Sequence, residues 1–249
     1  MTRRLPLSLT FVIAGFLALA LSVQTRSQSS QTVSAKQTPV AAKTTTTKKT
    51  APATPTAAPA PTLITVNGVT DIDPTKTSGQ KNAPLIMEVF TDFQCPACKQ
   101  LYTTTLQRVT ENYANTGKVY IVHRDFPLQM HAYSHIAANY ARAAAHIGRD
   151  EAVELVLFQN QEKWEANGDV KGTLASVLSP AEMKKVDALV ESKTLEPLVE
   201  TDRQHGVTAA VNQTPTSVIH TRNGQVFPVV GFVSYENFKA FLDQLLASQ

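Results

Sequence analysis

Residues 84–98 read PLIMEVFTDFQCPAC: a short apolar run, a four-residue link, and two cysteines three positions apart with a proline after the first. This order narrows the possible folds. Seven apolar-rich residues behind a Gly/Asn/Pro-rich loop predict a buried strand over Pro84 to Phe90. Pro96 fits the first position of a helix, where its missing N–H is not needed. Cys95 then falls at the helix N-cap, where unpaired backbone N–H groups and the positive end of the helix dipole favour an anion. A free thiol has a pKa of about 8.5, and at such a helix start it falls to roughly 3.5–7.5. Cys98 is one turn further on, within reach of a small disulfide with Cys95. The spacing predicts an attacking thiol and an internal resolving thiol.

Other uses of the pair have weaker support. A disulfide across three residues closes too small a loop to constrain the unfolded chain much. A structural zinc site takes four Cys or His ligands, and Cys95 and Cys98 are the only cysteines. His131 and His135, four apart on a predicted helix, are the remaining candidates for such a site, and no metal is expected. The alternatives are a domain that holds a soft ion such as Cu(I) on the pair without redox turnover, and a tethered scaffold whose disulfide is only structural.

The rest of the chain divides by composition. Arg3 and Arg4 precede an uncharged, mostly apolar run from Leu5 to Val23. Its length falls between a cleaved signal core and a membrane span. Residues 1–23 are therefore a signal peptide or an N-terminal membrane anchor, and either predicts export of the remaining chain. Residues 24–62 are rich in Thr, Ala, Pro and Lys and have no aromatic residue, so a disordered tether is expected there. Seven basic groups and no acid lie in the first 62 residues, leaving sixteen basic and twenty acidic groups in residues 63–249. That acidic balance does not suit a phosphate-neutralising surface, and no nucleic-acid partner is expected.

Residues 63–249 form the predicted domain. Leu63 to Val66 reads as an edge strand, Lys99 to Tyr113 as the helix after the cysteines, and Lys118 to Arg124 as a second buried strand. A helical stretch comes next, with helices over His131 to Ile147, Asp150 to Trp164 and Val170 to Leu178. Ser179, Pro180 and Glu182 give a capping box for a helix to about Ser192. A further helix runs from Leu195 to His205, ended by Gly206. Thr216 to Thr221 and Gln225 to Val229 flank the hairpin signal Asn223-Gly224. Ser234 caps a last amphipathic helix. Pro215, opening a strand after Thr214, is a place for a cis X–Pro bond.

Taken together, PLIMEVFTDFQCPAC, KVYIVHRDFPL, HAYSHIAANYARAAAHIG, VNQTPT and NGQVFPVVGFVSYENFKAFLDQLL resemble the DsbA-like branch of the thioredoxin superfamily, across about residues 84–247. The resemblance implies an α/β thioredoxin-like fold: β-α-β, a helical insertion over about residues 131–206, then β-β-α. It implies extracytoplasmic thiol–disulfide exchange with cysteine-containing exported polypeptides, and a membrane or soluble redox partner that recycles the disulfide. No cofactor is implied beyond the Cys95–Cys98 disulfide. Cys95 is the exposed nucleophile, Cys98 its buried partner, and Thr214 and Pro215 form the cis-proline loop beside them. Strongly oxidising members place His between the cysteines. Here the dipeptide is Pro96-Ala97, and the redox direction stays open. Where family members place a buried glutamate six residues before the first cysteine, this chain has Val89. Glu88 and Asp92 are the acids left as a proton relay for Cys98.

Overall fold

A computed structural model describes residues 61–249. The signal or anchor at residues 1–23, and the tether up to residue 60, lie outside the described residues. Among the described residues, no helix is long and apolar enough to cross a membrane.

The core is a five-stranded sheet of β3 (Thr77–Ser78), β4 (Leu85–Thr91), β5 (Val119–Asp125), β6 (Thr216–Thr221) and β7 (Val226–Val230), in the order β3-β5-β4-β6-β7. Only β4 and β5 are parallel. The helix joining them, α1 (residues 96–114), supplies the crossover that parallel pairing requires. β4 is covered on both faces, so its sequence reads as a continuous apolar run. Leu85, Met87 and Val89 face the main core together with both cysteines. Ile86 packs on the opposite face against Val66, Val69 and Ile72, while Phe90 meets Phe126, Val211 and Val218.

The predicted edge strand lies elsewhere. β1 (Ile64–Val66) pairs with β2 (Val69–Ile72) in a separate hairpin, turned by Asn67 and Gly68, both at positive φ. One edge of the sheet is instead β3, two residues long and too short to leave a pattern. Helix α1 starts as α-helix over Pro96–Leu101 and then widens into π-helical turns at Tyr102–Leu106 and Thr110–Ala114. The hydroxyls of Thr103 and Thr104 donate back to the carbonyls of Lys99 and Gln100, bonds that loosen a helix locally.

The insert comprises α2 (Ser134–Ala145), α3 (Asp150–Gln159), α4 (Gln161–Trp164), α5 (Val170–Leu174), α6 (Pro180–Ser192) and α7 (Glu196–Thr208), and α8 (Tyr235–Ala247) closes the fold. The capping box at Ser179 and Glu182 forms, and α6 ends at Ser192 as the sequence predicts. The helix expected over Asp150 to Trp164 breaks at Asn160, and the one expected to reach Leu178 ends at Leu174. Gly206 does not terminate its helix but lies buried inside α7.

Close approach explains Gly206. A Cβ there would lie 2.7 Å from the Phe126 ring and 3.0 Å from that of Phe90, so the missing side chain lets α7 seat on the sheet. Alanine would gain about 1 kcal/mol of helix propensity but overpack two buried rings. With the gain subtracted, Gly206→Ala is expected to destabilise the domain by up to about 2 kcal/mol in urea denaturation.

Candidate active site

Cys95 caps α1 in extended conformation (φ −78°, ψ 119°), with Pro96 at the first helical position. Its N–H donates to the Asp92 carbonyl at 3.1 Å, and its carbonyl accepts from Lys99 N at 3.1 Å, the first bond of the helix. The apolar strand thus delivers the chain to a tight turn, and the proline commits it to helix one residue after the sulfur. Behind the turn, Phe158 of α3 packs on Phe93 and Tyr102, with ring centroids 4.9 and 4.8 Å away.

The Thr214–Pro215 peptide bond is cis. The Thr214 carbonyl lies 3.3 Å from the Cys95 sulfur. The loop is tied down by Gly231 N donating to the Pro215 carbonyl at 2.8 Å, and by Thr216 Oγ1 donating to Gln213 O at 2.8 Å. The Thr214 hydroxyl is buried beside the sulfurs and lowers the pKa of both, although it completes no hydrogen bond among the described residues. Cys98 is fully buried, as the resemblance implies. Cys95 is less open than expected: only 7% of its surface is exposed, because the Thr214 loop covers it. Both cysteines are free thiols.

The sulfurs differ in acidity. The Cys95 pKa is drawn down to about 5 by the Cys98 thiol donating to it, helped by the Thr214 hydroxyl and the N–H groups of Cys98 and Ala97, against the opposing effect of burial. Burial pushes the Cys98 thiol well above the ordinary range, and the neighbouring Cys95 sulfur adds to this. One sulfur is set up to carry negative charge and the other to keep its proton. The Pro96-Ala97 pair contributes through its backbone: Pro96 starts the helix and Ala97 supplies an N–H.

The two candidate relay acids are both buried, and neither carboxylate points at Cys98. Glu88 lies on the sheet face away from the cysteines. Arg124 Nε donates to it at 2.8 Å, and His205 and His220 lie 3.0 and 2.8 Å away. Burial would raise its pKa, but the two histidines and Arg124 outweigh that and hold it well below the usual carboxylate range. The structure does not bring Glu88 to the pair. Asp92 is closer: its backbone N–H points at the Cys98 sulfur from 3.5 Å. Its carboxylate is occupied by other donors: Gln94 N and Leu128 N at 2.7 Å each, His131 Nδ1 at 2.8 Å, and the Ser134 hydroxyl. Asp92 therefore braces the loop that carries Cys95.

His131 lies in the loop before α2 and is committed to Asp92, while His135 is exposed on that helix. No group of three or more His, Cys, Asp or Glu side chains among the described residues is placed to hold a metal ion. Sequence reading missed Ser134 and Gln161, whose side chains reach the redox loop from the insert. No local pattern marks either residue, because their partners lie 42 to 68 positions away.

A family model described as Thioredoxin matches residues 72–244. A curated relative from Bacillus cereus, a probable disulfide bond formation protein D, is 41% identical over 49 residues, which is 20% of this chain and 23% of the relative. The chain thus aligns with about a quarter of that relative's length. Among solved structures, Wolbachia pipientis alpha-DsbA1 superposes with a TM-score of 0.60 at 17% identity, covering 70% of this chain and 91% of that one. Oxidised BdbD from Bacillus subtilis gives 0.57 at 18% identity, covering 69% and 92%. Pseudomonas aeruginosa DsbA2 gives 0.55 at 20%, covering 69% and 93%. With a family model spanning most of its length and the fold of these DsbA structures, the chain belongs to the thioredoxin family.

Proposed function

We propose that the protein is an extracytoplasmic thiol–disulfide oxidoreductase that works mainly as an oxidase of polypeptide dithiols. The observation that carries this reading is the unequal sulfur pair: Cys95 with its pKa drawn to about 5 at a helix start, above a buried Cys98 that keeps its proton. Stabilising the reduced form of a dithiol makes its disulfide a stronger oxidant. Backbone N–H groups, the Cys98 thiol and Thr214 supply here the stabilisation that a histidine between the cysteines supplies in strongly oxidising relatives.

The reaction takes two exchanges. A substrate thiolate attacks the Cys95 sulfur of the Cys95–Cys98 disulfide. A mixed disulfide forms, and Cys98 leaves and takes up a proton. The second substrate thiolate then attacks the substrate sulfur of the mixed disulfide, and Cys95 departs as a stable thiolate. The substrate loses two electrons and the pair gains them. The Thr214–Pro215 loop lies beside the reacting sulfur, where an extended substrate backbone can pair with it. A membrane or soluble redox partner must reoxidise the pair. Residues 1–23 would direct export or anchor the chain, and residues 24–62 would tether the domain.

The test is to mix the oxidised protein with a reduced, unfolded polypeptide that contains two cysteines. One disulfide should pass to the polypeptide for each protein reduced. If the disulfide stays on the protein in the presence of excess dithiol peptide, the oxidase reading fails.

A further inference from the structure

The helical insert holds the redox loop by its backbone. α3 ends at Asn160 (φ −104°, ψ 17°), and the chain turns directly into α4, whose first residue is Gln161. Gln161 is 2% exposed. Its Nε2 donates to the Phe93 carbonyl at 2.6 Å and to the Cys95 carbonyl at 3.1 Å. A side-chain amide nitrogen carries two hydrogens, so both are used on the two carbonyls that flank Gln94. The Cys95 carbonyl also accepts the first bond of α1 from Lys99 N, which occupies both of its lone pairs. Phe158 packed on Phe93, and Trp164 Nε1 bonded to Leu157 O at 2.8 Å, fix the α3–α4 junction that presents the amide.

We propose that Gln161 is a positioning residue of the redox pair: its amide fixes the Phe93 and Cys95 carbonyls and so holds the Cys95 sulfur over the N–H groups that open α1. The inference rests on Cys95 being the reacting thiol. Those N–H groups, from Ala97 and Cys98, stabilise the thiolate only while the Cys95 backbone keeps its angle to the helix. The amide also neutralises part of the charge on the Cys95 carbonyl. Through Gln161 the insert supports the chemistry of the pair as well as covering the core.

The experiment uses the full protein with Gln161→Met, which keeps the length and removes both donors, and Gln161→Glu, which places an acceptor against two carbonyls. The thiolate absorbance of the reduced proteins is titrated with pH, and their equilibrium with glutathione is measured. In Q161M the midpoint should rise by about one pH unit and the oxidising equilibrium constant fall about tenfold, with Q161E shifted further. A Q161M protein with wild-type midpoint and equilibrium constant, changed only in melting temperature, overturns the proposal. A wild-type midpoint near the ordinary thiol value overturns the reading of Cys95 beneath it, which distinguishes the two failures. Should the variants not fold, the wild-type side-chain amide protons of Gln161 decide. They should respond to pH with the Cys95 midpoint; no response counts against the proposal.

Discussion

Serine in place of Cys95 is expected to abolish disulfide transfer, a loss of roughly 10³-fold or more, because a hydroxyl can neither form the mixed disulfide nor leave as a stable anion at neutral pH. Cys98→Ser should behave differently. Cys95 keeps its place at the start of α1, so its thiolate still attacks a substrate disulfide and releases one substrate thiol, but no Cys98 thiol remains to displace the bound polypeptide. Covalent complexes with cysteine-containing polypeptides should accumulate, visible on non-reducing gels and dispersed by dithiothreitol. Equal activity in Cys95→Ser and wild type would remove the pair from the mechanism.

The second large effect is expected far from the sulfurs. Arg142 of α2 is buried and donates to Asp125 at the end of β5 (3.0 and 2.7 Å), to Asp73 after β2 (2.9 Å), and to Asp202 of α7. Arg124 joins Asp202 to Glu88 and to the backbone of β2. Lys76 does the same for Asp125, Asp150 and Glu154. These residues tie the sheet, the insert and the N-terminal hairpin together across a charged seam. Replacing Arg142 by methionine fills the volume but leaves buried carboxylates unpaired, at a cost of roughly 3–5 kcal/mol in urea denaturation.

The pH dependence of that loss has a definite sign. Burial pushes the Asp73 pKa up, but the His146 hydrogen bond and the Arg142 charge prevail and hold it well below the usual carboxylate range. A depressed carboxyl stabilises the fold above its unfolded pKa of about 4 and ceases to do so as pH falls through the folded value. In the variant the orphaned carboxyls titrate higher than in the unfolded chain. They destabilise at pH 7 and much less once protonated. The gap between variant and wild type should therefore narrow as pH falls from 7 toward about 4.

The strands and the redox turn are legible in the sequence because their information is local. PLIMEVF and KVYIVHR are apolar-rich runs of strand length, TSVIHT is a β-branched stretch beside a hairpin signal, and CPAC carries its own helix start. What pattern does not show is which buried acids have partners. Glu88 and Asp92 look alike in sequence. Their roles part only when Arg124, His205 and His220 arrive on one face of β4, and Leu128, His131 and Ser134 at its end. Gly206 reads as a helix stop because glycine usually is one; its reason here is the pair of phenylalanine rings beneath it. Gln161 has no signal at all, since its partners are backbone carbonyls 66 and 68 positions away.

The oxidase direction proposed above, open from Pro96-Ala97 alone, rests on the charge balance at Cys95. A pKa drawn down to about 5 favours the thiolate about a hundredfold at pH 7. That stabilises the reduced form by roughly 2–3 kcal/mol and raises the potential by about 60 mV over the same pair with an ordinary thiol. The raised Cys98 pKa does not offset this at pH 7, where that thiol is protonated in the folded and unfolded chain alike.

In the reduced protein at neutral pH, Cys95 should be a thiolate and Cys98 a thiol. The reduction potential of the pair, measured against glutathione from pH 4 to 8, tests it most directly. Each proton taken up with the two electrons contributes about 30 mV per pH unit. With only Cys98 protonated above the Cys95 pKa, the slope should be about 30 mV per unit from pH 6 to 8, and steepen toward about 59 mV per unit below pH 5. The value at pH 7 should lie above about −200 mV. A slope of about 59 mV per unit up to pH 8, with a potential near −270 mV, would mean that both sulfurs keep their protons and that the pair is not an oxidase.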